Sequence, residues 1–267
     1  MVFRHDKKYG QNFLTDTNLL SAIVNDSGIT FDDTVVEVGA GAGALTAQIA
    51  KKAKQVISYE IDKRLETVLE SNLSGLSNVQ IIYGDALKNE LPSELKPYGY
   101  KVVANLPYYI TTPLLFWFLE RDNPPSSLTV MVQEEVALRM SASPATPDYG
   151  ALSAVIALRG TAKMTRKVGR NMFSPPPNVD SAVVRIDLNP PEDNIDYAAV
   201  TRVIRAAFAM RRKTLVNNLM LLGLNRENAV KAVEAVGLKA DIRGERLGTK
   251  EFVEITRQLG MRIMQNA

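Results

Sequence analysis

The feature that most constrains the fold is the segment VVEVGAGAGALT, in which an apolar run ends in a glycine-rich turn. The glycines stand at positions 39, 41 and 43, directly after a predicted strand over Thr34–Val38. Because glycine has no Cβ atom, the backbone amides of such a turn can approach a ligand closely where the next helix begins. The segment therefore predicts a strand, a turn and a helix. Glycine-rich turns also occur without a ligand, so the binding function needs further support.

The first two thirds of the chain repeat this alternation of strands and helices. Further strands are predicted at Val56–Glu60, Val79–Tyr83, Lys101–Asn105 and Leu128–Val132, with helical patterns between them. Strands separated by helices predict an α/β fold with a mostly parallel sheet that is covered on both faces. Thr161–Val168 and Ser181–Leu188 flank a proline-rich loop, and we expect them to close the sheet as an antiparallel pair.

A cluster of breaker residues, LNPPEDN at 188–194, marks the predicted domain boundary. Beyond it the strand pattern disappears, and helices are predicted at Tyr197–Met210, Lys213–Leu222, Arg226–Val236 and Lys250–Leu259. We therefore predict an α/β domain over residues 1–188, with an N-terminal arm over residues 1–17. A small all-helical domain is predicted over residues 189–267.

Composition excludes several kinds of chemistry. The 267 residues include no cysteine and a single histidine, His5. Disulfides, thiolate metal ligands and a cysteine nucleophile are therefore excluded, and we expect no metal site. The uncharged run 38–50 is too short to span a bilayer, and residues 1–8 are charged without an apolar signal segment. We expect a cytoplasmic protein without a membrane partner.

Positive charge is concentrated towards the C-terminus. Residues 189–267 carry 13 lysines and arginines against 9 acidic residues, whereas residues 1–188 carry 19 against 20. The segment Arg159–Arg170 adds five basic residues without an acid. Such an uneven distribution favours a polyanionic partner.

Acidic residues lie at or just beyond the ends of the predicted strands, in an order that suits a nucleoside ligand. Glu37 precedes the glycine turn, where a carboxylate favours a cationic or zwitterionic ligand over a pyrophosphate. Glu60 ends the second strand, 21 residues after Gly39, where it can accept both ribose hydroxyls. Asp85, in the segment GDAL, follows the third strand and can accept from an adenine amino group. The order suggests S-adenosyl-L-methionine rather than NAD.

The segment ANLPYYI, residues 104–110, would face the same crevice from the end of the fourth strand. An exocyclic amine on an aromatic base is a poor nucleophile because its lone pair is delocalised into the ring. The Asn105 side-chain carbonyl and the Leu106 backbone carbonyl could accept its two N–H groups and draw the nitrogen towards tetrahedral geometry. Pro107 would fix the turn, and the Tyr108 ring could lie flat on the base. This predicts methylation of a nucleobase amine.

Together these motifs resemble the KsgA-type ribosomal RNA adenine dimethyltransferases, from end to end of the chain. The matching segments are KKYGQNFL (7–14), VEVGAGAGALT, SYEID, GDAL, NLPYYI, FSPPPNVDSAVV (173–184) and FAMRRKTLVNNL (208–219). The resemblance implies a Rossmann-like class I methyltransferase sheet with a helical C-terminal domain. It also implies methylation, twice each, of two adjacent adenosines near the 3′ end of small-subunit (16S) ribosomal RNA. The partner would be a pre-ribosomal small-subunit particle, and the enzyme a monomer that uses S-adenosyl-L-methionine.

Carried over residue by residue, the resemblance implies two adjoining sites. The cofactor would be contacted by Asn12, Leu14, Gly39, Gly41, Glu60, Asp85 and Asn105. The acceptor site would comprise Asn105, Leu106, Pro107 and Tyr108. A target base pays a few kcal/mol to leave its stack and regains roughly 1–3 kcal/mol on each aromatic ring, so two rings are needed. Phe173, held by the prolines at 175–177, is the candidate for the second ring; from its spacing, a hydrophobic plug beneath a loop is an equal alternative.

The C-terminal domain would supply the RNA contact. Arg211, Arg212 and Lys213 would each neutralise a phosphate, although a solvated helix start is the ordinary explanation for such a trio. Arg243 and Arg246 are candidates to extend this surface. The N-terminal arm is expected to become ordered only with cofactor or RNA.

Three other functions stay open at this point. A related large-subunit RNA methylase that confers macrolide resistance would usually have Ile at the position of Leu106. A ribosome-assembly or transcription factor could keep the fold without turnover, but Glu60, Asp85 and Asn105 are intact. An NAD-dependent oxidoreductase is disfavoured by Glu37 and by the lack of a usable catalytic histidine.

Overall fold

The computed structural model describes residues 13–14 and 16–260, which divide into two compact units. Strands β1 to β9 lie at Phe13–Leu14, Thr34–Val38, Gln55–Glu60, Val79–Tyr83, Lys101–Asn105, Ser127–Gln133, Gly160–Val168, Phe173–Ser174 and Ser181–Leu188. Helices α1 to α10 lie at Thr17–Asp26, Ala44–Ala50, Glu66–Asn72, Thr111–Glu120, Glu134–Met140, Ala151–Arg159, Tyr197–Ala207, Leu215–Leu219, Arg226–Ala235 and Thr249–Leu259. Short 3-10 turns lie at Lys63–Leu65, Tyr108–Ile110, Arg170–Met172, Met220–Leu222 and Gly244–Arg246.

The first unit is built on a seven-stranded sheet in the order β4-β3-β2-β5-β6-β9-β7. Strands β4, β3, β2, β5 and β6 pair in parallel, and β9 runs antiparallel to β6. The prediction of a mostly parallel sheet with an antiparallel closing strand is therefore confirmed. The strand order reverses between β2 and β5, so the chain leaves both strands at a topological switch point, where α/β sheets bind ligands.

The central strands are apolar because both of their faces are covered. Val35, Val36, Val102, Val103 and Ala104 are fully buried, as expected for parallel strands between two layers of helices. In this register Val36 pairs with Val102, so β2 and β5 end side by side. The segments that follow them, the glycine turn and the NLPY corner (residues 105–108), are thereby brought to one edge of the sheet.

A separate two-stranded ribbon pairs β1 with β8 antiparallel, with Leu14 opposite Phe173. Both side chains are 5% exposed and belong to one apolar cluster with Leu20 and Ile23 of α1. Neither this ribbon nor α1 was predicted from the sequence. The ribbon ties the start of the proline-rich segment to the N-terminal residues.

The second unit contains Arg139–Gly160 together with the residues from Asn189 onwards. The first unit ends at Leu188, the predicted boundary, but residues 139–160 were expected in the α/β domain and the structure groups them with the C-terminal helices. The reason is visible at Tyr149, which is 7% exposed, donates a hydrogen bond of 2.8 Å to the Leu247 carbonyl and packs edge-on against Phe208. In the described part of the chain, no helix is both long and apolar enough to cross a membrane.

Candidate active site

A pocket opens at the carboxyl ends of β2, β3, β4 and β5 and encloses about 1120 Å³, including the space at its mouth. Most of the predicted cofactor residues line it: Leu14, Gly39, Gly41, Glu60, Asp85 and Asn105. Leu106, Pro107 and Tyr108 line the same pocket. The structure therefore brings the two predicted sites together in one concave space of the kind that binds small molecules. Asn12 lies outside the described residues.

The glycine turn is held against the NLPY corner. Gly39, Gly41 and Gly43 have φ angles of 87°, 58° and 84°, a region that other residues rarely adopt. The amide of Gly39 donates to the Tyr59 carbonyl at 2.8 Å. A Cβ atom at Gly39 would lie 3.7 Å from both the Asn105 carbonyl oxygen and the Pro107 ring. The turn and the corner thus adjoin through backbone and ring atoms, with no side chain of residue 39 between them.

Glu60 presents a fixed carboxylate at the end of β3. It is 4% exposed; Oε2 accepts a hydrogen bond of 2.8 Å from the Gly41 amide, and Oε1 accepts one of 2.8 Å from the Asp62 amide. Burial raises the pKa of Glu60, and the two amides act in the opposite direction. Each oxygen keeps a further lone pair. The group can therefore accept two hydrogen bonds from a diol without moving.

Asp85 follows β4 and is less enclosed. Its side chain is 28% exposed, Oδ1 accepts from the Leu87 amide at 3.0 Å, and the Lys88 ammonium lies 3.9 Å from Oδ2. The Asn89 side chain donates to the Asp85 carbonyl at 2.7 Å and so fixes the local turn. Asp85 can thus accept a hydrogen bond from a group inside the pocket.

Glu37 does not line the pocket, contrary to the expectation that it would face the charge of a ligand. It is fully buried, and its Oε2 accepts hydrogen bonds from Thr46 at 2.6 Å and Ser58 at 2.7 Å. Within the described residues Oε1 has no hydrogen-bond partner. Burial raises the pKa of Glu37 to about 7. The hydrogen bonds from Thr46 and Ser58 connect Glu37 of β2 to α2 and to β3.

The NLPY corner is a rigid turn that leaves an amide free. The Leu106 amide extends the β5–β6 ladder by donating to the Met131 carbonyl at 3.1 Å, and the Pro107 carbonyl accepts from the Thr111 hydroxyl at 3.0 Å. The Asn105 side chain, at the pocket wall, makes no hydrogen bond to another described residue. The half-buried Tyr108 ring lies in the 3-10 turn that follows. The corner therefore combines an available amide with an aromatic ring.

Phe173 is placed differently from the predicted second stacking ring. It is 5% exposed, packs in the cluster with Leu14, and is not among the residues that line the pocket. The arrangement is that of the hydrophobic plug. A stacking role would require the ring to leave this cluster, and that role stays a prediction.

Arg211, Arg212 and Lys213 are exposed in the turn between α7 and α8 rather than in a helix. Helix α7 ends at Ala207, three residues before the predicted end, and the buried Asn218 side chain donates to the carbonyls of Ala207 at 2.6 Å and Met210 at 3.3 Å, which the end of the helix leaves available.

A second basic turn lies against the end of α7. Arg243 and Arg246 are exposed, and Gly244 between them is so close to α7 that a Cβ atom would lie 2.8 Å from the Ala207 carbonyl. Both basic segments thus adjoin one helix end.

The basic run Arg159–Arg170 is partly neutralised, which weakens the case for it as an anion-binding surface. Arg166 forms a two-pronged pair with Asp26, with both N···O distances 2.7 Å, and Lys167 pairs with Glu134.

The described residues include no group of three or more potential metal-ligating side chains.

Ile61 and Ser181 are two of the pocket-related residues that were not predicted from the sequence. Ile61 directly follows Glu60, lines the pocket and is 39% exposed, so an apolar residue after a strand-end acid was the available signal. Ser181 bonds to the Tyr108 hydroxyl at 2.6 Å. Their separation of 73 residues left no local pattern that could have indicated this contact.

The sheet with its antiparallel β9, together with an acid at the end of β3 beside a glycine turn, defines a class I methyltransferase fold. The model of the ribosomal RNA adenine dimethylase family matches residues 2–257, and the chain belongs to this family. The resemblance noted from the motifs is therefore confirmed.

Individual relatives agree with this assignment. The chain is 42% identical over 269 residues to the ribosomal RNA small subunit methyltransferase A of Geobacillus thermodenitrificans, covering 96% of this chain and 92% of that protein. It is 44% identical over 264 residues to the protein of the same name from Shouchella clausii, covering 95% and 89%.

Solved structures extend the comparison. A dimethyladenosine transferase from Plasmodium falciparum superposes with a TM-score of 0.77 at 25% identity, covering 91% of this chain and 95% of that one. The 23S rRNA methyltransferase ErmE gives a TM-score of 0.68 at 27% identity, covering 93% of this chain and 99% of that one. Both resemble this chain over nearly its full length.

Proposed function

We propose that this chain transfers methyl groups from S-adenosyl-L-methionine to N6 of adenosines in small-subunit ribosomal RNA, two groups to each of two adjacent adenosines. Family membership and the names of the relatives support the substrate class. The observation that carries the proposal is the shared pocket. Glu60 and Asp85, which suit a nucleoside, line the same space as Asn105 and Tyr108, which suit an acceptor base.

The pocket fits the cofactor on the evidence of its donor set. The Glu60 carboxylate, fixed by two backbone amides, would accept the two ribose hydroxyls. Asp85 would accept from the adenine amino group, and the space beside Gly39 and Gly41 would admit the amino-acid tail. When bound, S-adenosyl-L-methionine supplies a methyl group on a positively charged sulfur. Leu14 would contribute an apolar part of the wall.

The acceptor corner would activate the target amine. The Asn105 side-chain oxygen and the Leu106 carbonyl would accept the two N6–H groups, so that the nitrogen lone pair becomes available for the new C–N bond. Tyr108 would stack on the base and hold it in this orientation. After transfer the nitrogen is positively charged and releases a proton readily, so the step requires no strong base.

The second unit would hold the RNA. Arg211, Arg212 and Lys213 are exposed on one turn, and Arg243 and Arg246 lie on the neighbouring turn against the same helix end. Exposed cations of this kind neutralise phosphates without reading sequence. We further propose that the chain acts in the cytoplasm, as a monomer, on a pre-ribosomal small-subunit particle.

The proposal is tested by incubating the protein with labelled S-adenosyl-L-methionine and either under-methylated small-subunit particles or large-subunit RNA. Mass spectrometry should find N6,N6-dimethyladenosine at two adjacent positions of the small-subunit RNA. Methylation of large-subunit RNA alone would favour the resistance-type methylase. RNA binding without binding of S-adenosyl-L-methionine would instead indicate a non-catalytic assembly or transcription factor.

A further inference from the structure

The Tyr108 hydroxyl is anchored outside its own turn. It lies 2.6 Å from the Ser181 Oγ. Tyr108 lines the pocket, whereas Ser181 is fully buried and does not line it. A group that a ligand in the pocket cannot reach thus holds the outer end of a ring that the ligand can reach.

Ser181 is the more rigid of the two partners. It is the first residue of β9 and pairs with Gln133 of β6, and the next residues, Ala182, Val183 and Val184, are fully buried. The ladder continues one step further, because the Glu134 amide donates to the Asp180 carbonyl at 3.0 Å. Ser181 is therefore fixed on both sides along the chain.

Tyr108, by contrast, sits in a single 3-10 turn over Tyr108–Ile110. Backbone geometry fixes where the ring starts but leaves its side-chain torsions to be set by contacts. The Ser181 hydroxyl is the hydrogen-bond partner that the structure gives the ring. Losing it would leave the phenol hydroxyl without this bond in a half-buried site, which favours other ring orientations.

We propose that Ser181 is a positioning residue, which holds the Tyr108 ring in the plane needed to stack on the target adenine. This inference rests on the proposed acceptor role of Tyr108. It predicts that Ser181 affects the rate of methyl transfer and the stacking of the base, and leaves the affinity for S-adenosyl-L-methionine unchanged. Ser181 also ends the proline-rich segment, so movement of that segment would reach the acceptor site through this bond.

The test uses a double-mutant cycle with Ser181→Ala, Tyr108→Phe and the double variant. Each single substitution removes the same hydrogen bond, so each should lower kcat about three- to ten-fold. The double variant should be no slower than the singles, because the bond can be lost only once. The Kd for S-adenosyl-L-methionine, measured by calorimetry, should not change. Ser127→Ala, at a buried serine of β6, is the matched control and should keep the wild-type kcat.

A second readout does not depend on turnover. The probe is a short single-stranded RNA with 2-aminopurine in place of the target adenine. Binding to the wild-type protein should quench the 2-aminopurine fluorescence, and binding to Ser181→Ala should quench it less. Equal quenching, or additive kcat losses in the cycle, would overturn the inference. If Ser181→Ala does not fold, Tyr108→Phe tests the same hydrogen bond: a lower kcat and weaker quenching than wild type support the inference, and wild-type values of both overturn it. A wild-type protein without methyl transfer would refute the proposed function, and the quenching comparison would still decide the role of Ser181.

Discussion

The backbone amide of Gly41 donates a hydrogen bond of 2.8 Å to Oε2 of Glu60. The bond joins the glycine turn after β2 to the acid at the end of β3, two elements that are 19 residues apart in the chain. Since the Asp62 amide holds the other oxygen, the carboxylate is oriented before it meets a ligand. Preorganisation of this kind reduces the cost of binding.

Glu60→Gln should weaken binding of S-adenosyl-L-methionine by about ten-fold or more, because a hydrogen bond to a charged group is lost and one oxygen is replaced by a donor. Burial raises the pKa of Glu60, so the wild-type affinity should fall as the pH is lowered through that pKa. The affinity of the Gln variant should change much less over the same range. Calorimetric titration of both proteins from pH 4 to pH 8 measures this, and parallel pH profiles would contradict it.

Glu37 should make the folded protein less stable as the pH rises. Its pKa is about 7 in the folded state against 4.5 for an ordinary glutamate, so its contribution to stability is complete below pH 4.5 and is lost as the pH rises towards 7. The difference corresponds to roughly 3 kcal/mol of unfolding free energy. Wild type should therefore lose about this much stability relative to Glu37→Gln between pH 4.5 and pH 8.

Urea unfolding at pH 4.5 and pH 8 measures this difference. Glu70→Gln, at an exposed position on α3, is the control, and its stability should follow that of wild type at both pH values. A constant gap between wild type and Glu37→Gln would show that burial of Glu37 has no such effect.

Asn105→Ala should lower the rate of methyl transfer by about 100-fold or more, because it removes an acceptor that orients the reacting nitrogen. The Asn105→Ala substitution should leave the fold unaffected. Tyr108→Ala should lower the rate of methyl transfer nearly as much. Single-turnover transfer to small-subunit particles is the measurement, and Asn25→Ala, exposed on α1, is the control. Wild-type turnover in Asn105→Ala would refute the role of the amide.

Replacing Arg211, Arg212 and Lys213 together by alanine should reduce the salt dependence of RNA binding. Each phosphate contact contributes roughly 0.7–0.9 to the slope of log K against log salt concentration, so the slope should fall by about three times that amount. Lys231→Ala, on α9 and paired with Glu227 at 2.6 Å, should leave the slope unchanged. Fluorescence anisotropy at several salt concentrations gives both slopes. An unchanged slope in the triple variant would place the RNA elsewhere.

Much of the sheet was predictable from sequence. Strands at Thr34–Val38, Val79–Tyr83, Lys101–Asn105 and Ser181–Leu188 have the predicted bounds, because short runs rich in β-branched residues and bounded by turn-forming residues indicate strands. Helix Ala151–Arg159 was missed. Six of its nine residues are buried, so it shows little of the amphipathic period that reveals a surface helix.

The site was predictable where function depends on strand ends, and less so where it depends on packing. Glu60 and Asn105 are at the pocket because parallel strands end at a common edge. Glu37 turned away from it, and Phe173 lies in the core. Side-chain direction and burial at these two positions follow from tertiary contacts that no local pattern encodes.

The central claim is that one pocket holds both the methyl donor and the acceptor corner. A crystal structure with S-adenosylhomocysteine, the demethylated product, tests it most directly. We expect the ribose hydroxyls on Glu60, the adenine amino group on Asp85 and the sulfur facing the Asn105 amide. A ligand bound elsewhere, or an Asn105 side chain turned away from the sulfur, would contradict the account.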